Sequence, residues 1–293
     1  MIKDSFPFVE ELKQLETGSL QGRMVPFDVA KRHITSILFC FVSEMTSSSS
    51  LSISNINNND IQLISKLVIL LLGAPGSGKG TQAQLLSKLL DIQHISTGDL
   101  CRNEIKIQSE LGIIIQSYLE KGLHAPASIT DPVLIKCFNN IDQDKGFLLD
   151  GYPRTFDQVI EAKTLLDKCG RKIDRVIYID VSENILTERL KLRLICPTCS
   201  SGGHINSKDI NEKVLCQKCG IPLEKRVDDS KDDIIKTRIS TFQNNSEKLL
   251  SEFQSQGILY KIDGAQSIVQ VYENIVTSLS LSVKTVSENG IVK

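Results

Sequence analysis

The segment Gly73-Ala-Pro-Gly76-Ser77-Gly78-Lys79-Gly80-Thr81 follows directly on the apolar run Lys66-Leu-Val-Ile-Leu-Leu-Leu72. A short branched apolar run that ends in a glycine-rich turn predicts a buried strand and a loop. Ala83, Leu85, Leu86, Leu89 and Leu90 follow at helical spacing, so a helix comes next. Glycines let the backbone wrap closely around an anion, and successive N–H groups then converge on phosphate at the positive end of the helix. Lys79, on a solvated loop, adds a mobile positive charge for the outer phosphates. Strand, loop and helix in that order predict a nucleoside triphosphate site.

One position narrows the class. Loops of this kind usually carry Ser or Thr right after the lysine, which gives a hydroxyl to Mg²⁺. Here Gly80 stands there and Thr81 comes one residue later. Water-mediated rather than direct Mg²⁺ ligation follows, and the pattern points to the small-molecule kinases.

Composition sets outer limits. The chain of 293 residues has a formal net charge of −1, which gives no electrostatic support for nucleic-acid binding. No apolar run approaches the roughly 18–20 residues that span a bilayer. Tryptophan is absent. Of the eight cysteines, Cys40, Cys101, Cys137 and Cys169 are scattered singly, while Cys196/Cys199 and Cys216/Cys219 form close pairs. Scattered thiols without a small-scaffold framework suit a reducing compartment, so a cytoplasmic protein acting as a monomer is expected.

Residues 1–65 differ from the rest. Thr46-Ser-Ser-Ser-Ser-Leu-Ser52 and Asn55-Ile-Asn-Asn-Asn-Asp60 can bury little apolar surface, so 43–62 reads as a flexible linker behind a partly disordered extension. Lys31-Arg32-His33 before an apolar stretch would act as an organelle-targeting signal, mitochondrial for example, only if translation began at Met24. From Lys66 onward, candidate strands at 67–72, 93–96, 146–150, 175–180 and 258–262 alternate with helical patterns. That alternation predicts a three-layer α/β fold, a parallel sheet with helices on both faces. In such folds the ligand lies beyond the carboxyl ends of the strands.

The polar and glycine residues fall at those ends. Thr97-Gly98-Asp99, with Arg102, follows the second strand; Asp150-Gly151-Tyr-Pro-Arg154, with Gln158, follows the third. Arg189 and Arg193, four apart, are expected to share one helical face. Arg226-Val-Asp228-Asp229 and then Arg238 come after the cysteine pairs, and Ile234, Ile235 and Ile239 fix the helical face that selects Arg238 over Lys236. A single arginine would be an ordinary solvated residue. Six around a phosphate loop are better explained by a polyphosphate substrate, since guanidinium forks match phosphate oxygens.

GxPGxGKGT, STGD with an arginine three residues on, DGYPR with a glutamine four further, and an arginine-flanked insert together resemble adenylate kinase in its long form with a zinc-bearing lid. The resemblance runs from about Lys66 to about Ser280. It implies a P-loop core at 66–96, 126–191 and 230–281, a helical insert binding the nucleoside monophosphate at 97–125, a small β lid at 192–229 and a tail at 282–293. The implied reaction is reversible transfer of the terminal phosphoryl group of ATP to AMP, giving two ADP. It implies that Gly76, Ser77, Gly78, Lys79, Gly80 and Thr81 cradle ATP, with Arg189, Arg193 and the backbone near Gln266 closing that site. Thr97, Arg102, Gly151, Arg154 and Gln158 would hold AMP, with Arg102 and Arg154 at its phosphate and Gln158 at the adenine edge. Arg226 and Arg238 would close over the transferring group, and Asp150 would organise Mg²⁺ through water. Lys79, Asp150, Arg154, Arg193, Arg226 and Arg238 form the implied catalytic set. His124 stands where the family places an apolar residue against the AMP base, and Gly202-Gly203-His204 replaces a stretch that usually carries an aromatic. Arg226 to Arg238 is one residue longer than the family spacing.

Cys196-Pro-Thr-Cys199 and Cys216-Gln-Lys-Cys219 make two CxxC knuckles sixteen residues apart. That spacing suits Zn²⁺ bound by four thiolates in a closed structural site, with two disulfides as the other reading and His204 as a rival ligand. Two other functions stand beside the first: a kinase for another donor–acceptor pair, such as GTP and AMP, and a P-loop NTPase carrying a zinc ribbon. The insert lies inside the arginine set and lacks the basic and aromatic residues of a nucleic-acid module.

Overall fold

A computed structural model describes residues 58–288 except 139, 143, 199–201, 205–213, 217 and 230, and gives only the backbone of 58, 202–204 and 281–288. The targeting segment and the linker expectation over 43–57 lie outside the described residues.

Five strands form the expected parallel sheet: β1 (Val68–Leu72), β2 (Gln93–Ser96), β3 (Phe147–Asp150), β4 (Arg175–Asp180) and β8 (Leu259–Asp263), in the order β2-β3-β1-β4-β8. The register pairs Leu71 with Asp150 and Ser96 with Asp150, so the ends of β1, β2 and β3 come level on one edge. The strands read as apolar runs because both faces are covered. Val68, Leu70 and Leu72 of β1 pack with Phe147, Leu149, Val176 and Phe253 on one side. Ile69 and Leu71 pack with Leu86, Leu148, Ile177 and Ile275 on the other. Successive side chains point to opposite faces of a strand, so a doubly covered strand needs apolar residues at every position.

Helices fill the connections. Among the described residues these are α1 (Asn58–Ile64), α2 (Lys79–Leu90), α3 (Thr97–Lys106), α4 (Glu110–Leu119), α5 (Ala127–Phe138), α6 (Phe156–Lys168), α7 (Glu183–Lys191), α8 (Asp232–Ser255) and α9 (Ile268–Glu288). Side-chain caps set several starts: Ser96 Oγ accepts from Asp99 N at 3.2 Å, and Ser109 Oγ accepts from Gly112 N at 2.9 Å. Helices α3 and α4 have a small core of their own around Cys101, Ile115 and Ala125. A second, antiparallel sheet in the order β6-β5-β7 comprises β5 (Arg193–Ile195), β6 (Gly202–His204) and β7 (Glu224–Lys225).

Helix α1 corrects the linker reading at 58–62. Ile64 is buried against Ile69, Leu86 and Ile275, and Asp60 is buried as well. The asparagine-rich composition conceals Ile61 and Ile64, which are spaced to meet the body.

Candidate active site

The turn after β1 is shaped by glycine. Gly73 has φ +151°, and a Cβ there would stand 2.6 Å from the Ile179 carbonyl oxygen. Gly78, at φ +98°, is the N-cap of α2 and gives no side-chain cap, so the N–H groups of the first turn lack intrahelical partners and can meet an anion. Lys79 Nζ donates to the carbonyls of Gly73 at 2.7 Å and Ala74 at 3.0 Å, with Ser77 Oγ at 3.5 Å. The lysine is therefore half-buried and tucked into its own loop, not the freely solvated side chain that its loop position had suggested. Burial lowers its pKa to about 8, against the pull of Asp150 in the other direction. Thr81, the third residue of α2, is exposed.

Asp150 closes β3. Its burial would raise the carboxyl pKa, but His94 and the charges of Lys79 and Arg154 outweigh this and hold it below the usual carboxylate range. His94 Nε2 lies 3.5 Å from Asp150 Oδ2, a separation longer than a normal hydrogen bond. The residue escaped the sequence reading. The register gives the reason: Ser96 pairs with Asp150, so His94, two residues back on the same face, is its diagonal neighbour. Asp150 Oδ2 also faces the start of α2, 3.9 Å from the place of a Cβ on Gly80. An ionised hard-oxygen donor beside the phosphate loop fits Mg²⁺.

The turn after β3 supplies the acceptor side. Gly151, at φ +78°, packs so closely that a Cβ would come 3.1 Å from Thr97 Oγ1 and 3.2 Å from Arg154 Nη2. Thr97 Oγ1 lies 3.0 Å from the Asp150 carbonyl and donates to that of Gly151 at 2.9 Å. Arg154 Nε donates to the Gly151 carbonyl at 2.6 Å, and its Nη1 lies 2.9 Å from His124 Nδ1. Gln158 Oε1 accepts from Arg154 N at 2.7 Å, which fixes the orientation of its amide and leaves Nε2 as the donor end. Arg102 pairs with Asp99, and its buried Nε has no partner among the described residues.

Three arginines converge on two buried aspartates. Arg226 forks onto Asp228 at 2.9 and 2.6 Å, Arg193 Nε meets Asp229 Oδ2 at 2.7 Å, and Arg238 bonds to both carboxylates. Asp229 is completely buried. Burial works against ionisation of Asp228, but Arg226 and Arg238 prevail and hold its pKa well below the ordinary value. Burial pushes Arg193 down to about 10, with Arg226 adding to the effect. The aspartates were legible only as flanking polar residues.

One expectation is overturned. Arg189 and Arg193 do not share a helical face: α7 ends at Lys191, Leu192 caps it, and Arg193 opens β5 opposite His204. Arg189 is half-buried on α7, with no hydrogen bond or ion pair among the described residues. Gln266 is exposed after β8 and accepts from Asn274 Nδ2 at 2.8 Å. Ile235 and Ile239 are buried beside Leu186 and Leu190, which turns Arg238 to the cleft. Thr97, Arg102, Gly151, Arg154, Gln158, Arg226 and Arg238 all line one cleft.

Beyond β5, Cys196 is buried, and its sulfur lies with those of Cys216 and Cys219 within 4.8 Å of one another. The turn of the second knuckle is closed by Gly220 N donating to the Cys216 carbonyl at 2.7 Å. Tetrahedral Zn–S bonds of about 2.3 Å put sulfurs about 3.8 Å apart, so these three thiols fit the ion. Cys199 lies outside the described residues.

A phosphate loop on a parallel sheet, facing a cleft ringed by guanidinium groups, defines a P-loop phosphotransferase. The family model for adenylate kinase matches residues 71–258. The adenylate kinase of Caldanaerobacter subterraneus subsp. tengcongensis is 38% identical over 211 residues, 72% of this chain and 95% of the relative. That of Syntrophomonas wolfei is 39% identical over 207 residues, 71% and 96% of the two chains. That of Enterococcus faecalis is 37% identical over 207 residues, again 71% and 96%. The chain belongs to the adenylate kinase family, and its reaction is reversible transfer of the terminal phosphoryl group of ATP to AMP.

Proposed function

We propose that the strand-end residues and the arginine–aspartate cluster divide the reaction between them. ATP lies along Gly76 to Thr81, with Lys79 leaving the Gly73 and Ala74 carbonyls for the outer phosphates and Arg189 and the Gln266 backbone near its base. AMP occupies the cleft, with Arg102 and Arg154 on its phosphate, Thr97 and Gly151 beside it, and Gln158 Nε2 donating to adenine. Arg193, Arg226 and Arg238 exchange the carboxylates of Asp228 and Asp229 for the transferring phosphoryl group. The AMP phosphate is already an anion near neutral pH, so the attack needs no general base. Positioning and charge stabilisation supply the rate. Mg²⁺, when bound through water to Asp150, neutralises charge on the phosphates. The observation that carries this reading is the shared cleft: seven residues from four separate segments line one cavity.

Cys196, Cys199, Cys216 and Cys219 hold one structural Zn²⁺, which orders a 192–229 lid too small to form a core of its own. No described helix is long and apolar enough to cross a membrane. A reducing cytoplasm suits these thiols, and the enzyme acts there as a monomer.

A coupled assay over donor and acceptor pairs tests the assignment. ATP with AMP should be the fastest pair; CMP or UMP turned over as fast as AMP would overturn the role of Gln158. Elemental analysis of protein purified without added metal should find about one Zn²⁺ per chain. Disulfides between these cysteines would refute the metal site.

A further inference from the structure

His124 sits between α4 and α5 and lines the same cleft as Arg154. We propose that its Nε2–H is a direct ligand of the acceptor nucleotide's phosphate, on a ring whose other nitrogen is fixed by Arg154. This rests on the reading of Arg154 as the AMP-phosphate residue.

The tautomer follows from the partner. Arg154 Nη1 lies 2.9 Å from His124 Nδ1, and a guanidinium can only donate, so Nδ1 accepts. In the neutral ring the proton then sits on Nε2. That nitrogen is buried and has no partner among the described residues. Native structures rarely leave a buried donor unpaired, and an exception calls for a ligand or another account.

The surroundings say which ligand. Burial first, and then Arg154, Arg238 and Lys79, push the His124 pKa down to about 2, so the ring is uncharged at any working pH. His124 lines the cleft together with Arg102, Arg154, Arg226 and Arg238, so an anion is the ligand its remaining N–H would meet there. A neutral donor there adds a hydrogen bond to the phosphate without adding to the repulsion among the cations. With Nε on the Gly151 carbonyl and Nη1 on His124, Arg154 has its plane fixed before the nucleotide arrives.

The test compares AMP with adenosine, which lacks the phosphate, in equilibrium binding to the full chain. His124→Asn keeps an acceptor near Nδ1 but has nothing at Nε2. It should weaken AMP roughly ten- to a hundredfold, the worth of a hydrogen bond to a charged group, and leave adenosine unchanged. His124→Gln, whose amide reaches towards the Nε2 position, should recover most of the loss. Unchanged AMP affinity in His124→Asn, or an equal loss for adenosine, overturns the proposal. Arg154→Met separates the two readings. If it spares AMP affinity, the phosphate site itself is misassigned; if it weakens AMP while His124→Asn does not, only the role of His124 falls. NMR of the unmodified protein needs no variant: the Nε2 proton signal should move on adding AMP and stay still with adenosine. A signal that ignores AMP overturns the proposal.

Discussion

The two halves of the site hold their charged groups by different means. On the sheet edge, Lys79, Thr97 and Arg154 are tied to backbone carbonyls of Gly73, Ala74, Asp150 and Gly151. Those carbonyls belong to strand ends and turns whose positions are set by a fully apolar core. Beside the small β5–β7 sheet, Arg193, Arg226 and Arg238 are tied to the carboxylates of Asp228 and Asp229. A carbonyl partner is part of the scaffold, but a carboxylate partner is a stand-in for another anion. Apart from Lys79, whose mobile ammonium can leave its carbonyls for phosphate, the first half is built to stay in place, and the second to trade one anion for another.

Substitutions on the two sides should therefore fail differently. Lys79→Met should reduce turnover by roughly 10²–10³-fold or more, the scale of removing one group that stabilises transition-state charge. Its melting temperature should hardly move, since a costly buried charge leaves together with its hydrogen bonds. Near-normal turnover would break the comparison. Asp229→Asn acts on the other half: three crowded guanidinium groups lose a fully buried counter-charge, which should cost about 3–5 kcal/mol of stability. Saturating ATP and AMP should restore more of the melting temperature in Asp229→Asn than they add to the parent, because phosphate replaces the missing carboxylate. Equal nucleotide shifts would show that the arginines do not exchange partners.

A smaller effect tests where the body begins. Removing residues 1–57 should leave turnover and melting temperature as they are. Removing 1–65 deletes α1 and exposes the pocket filled by Ile64, a loss of about 1.5–3 kcal/mol. Equal melting curves for the two truncations would return α1 to the extension.

The strands were legible because burial on both faces leaves its mark in composition: each of the five expected runs lies within a residue of an observed strand. The cleft residues were legible because turn chemistry and strand ends coincide. What escaped depends on register or on distant pairing. His94 meets Asp150 only once β2 and β3 are aligned, and of the three arginine partners of Asp228 and Asp229 two come from β5 and α8. Arg193 was placed on a helix because residue spacing cannot show that α7 stops at Lys191. Helix α1 was hidden by its asparagines, which outweigh two buried isoleucine positions in any compositional reading.

The tucked lysine of the phosphate loop makes nucleotide binding a proton-coupled event. With burial holding its pKa at about 8, Lys79 is partly neutral in unliganded protein near that pH. An arriving triphosphate stabilises the ammonium and raises the pKa, so the protein takes up a fraction of a proton from the buffer. Near pH 6 the amine is already charged in both states, and the uptake vanishes. Calorimetric binding heats measured near pH 8 should therefore change with the ionisation enthalpy of the buffer, and those measured near pH 6 should lack this contribution from Lys79. The Lys79→Met protein should lose that contribution at pH 8, which makes the lysine a counter of bound nucleotide in units of hydrogen ions.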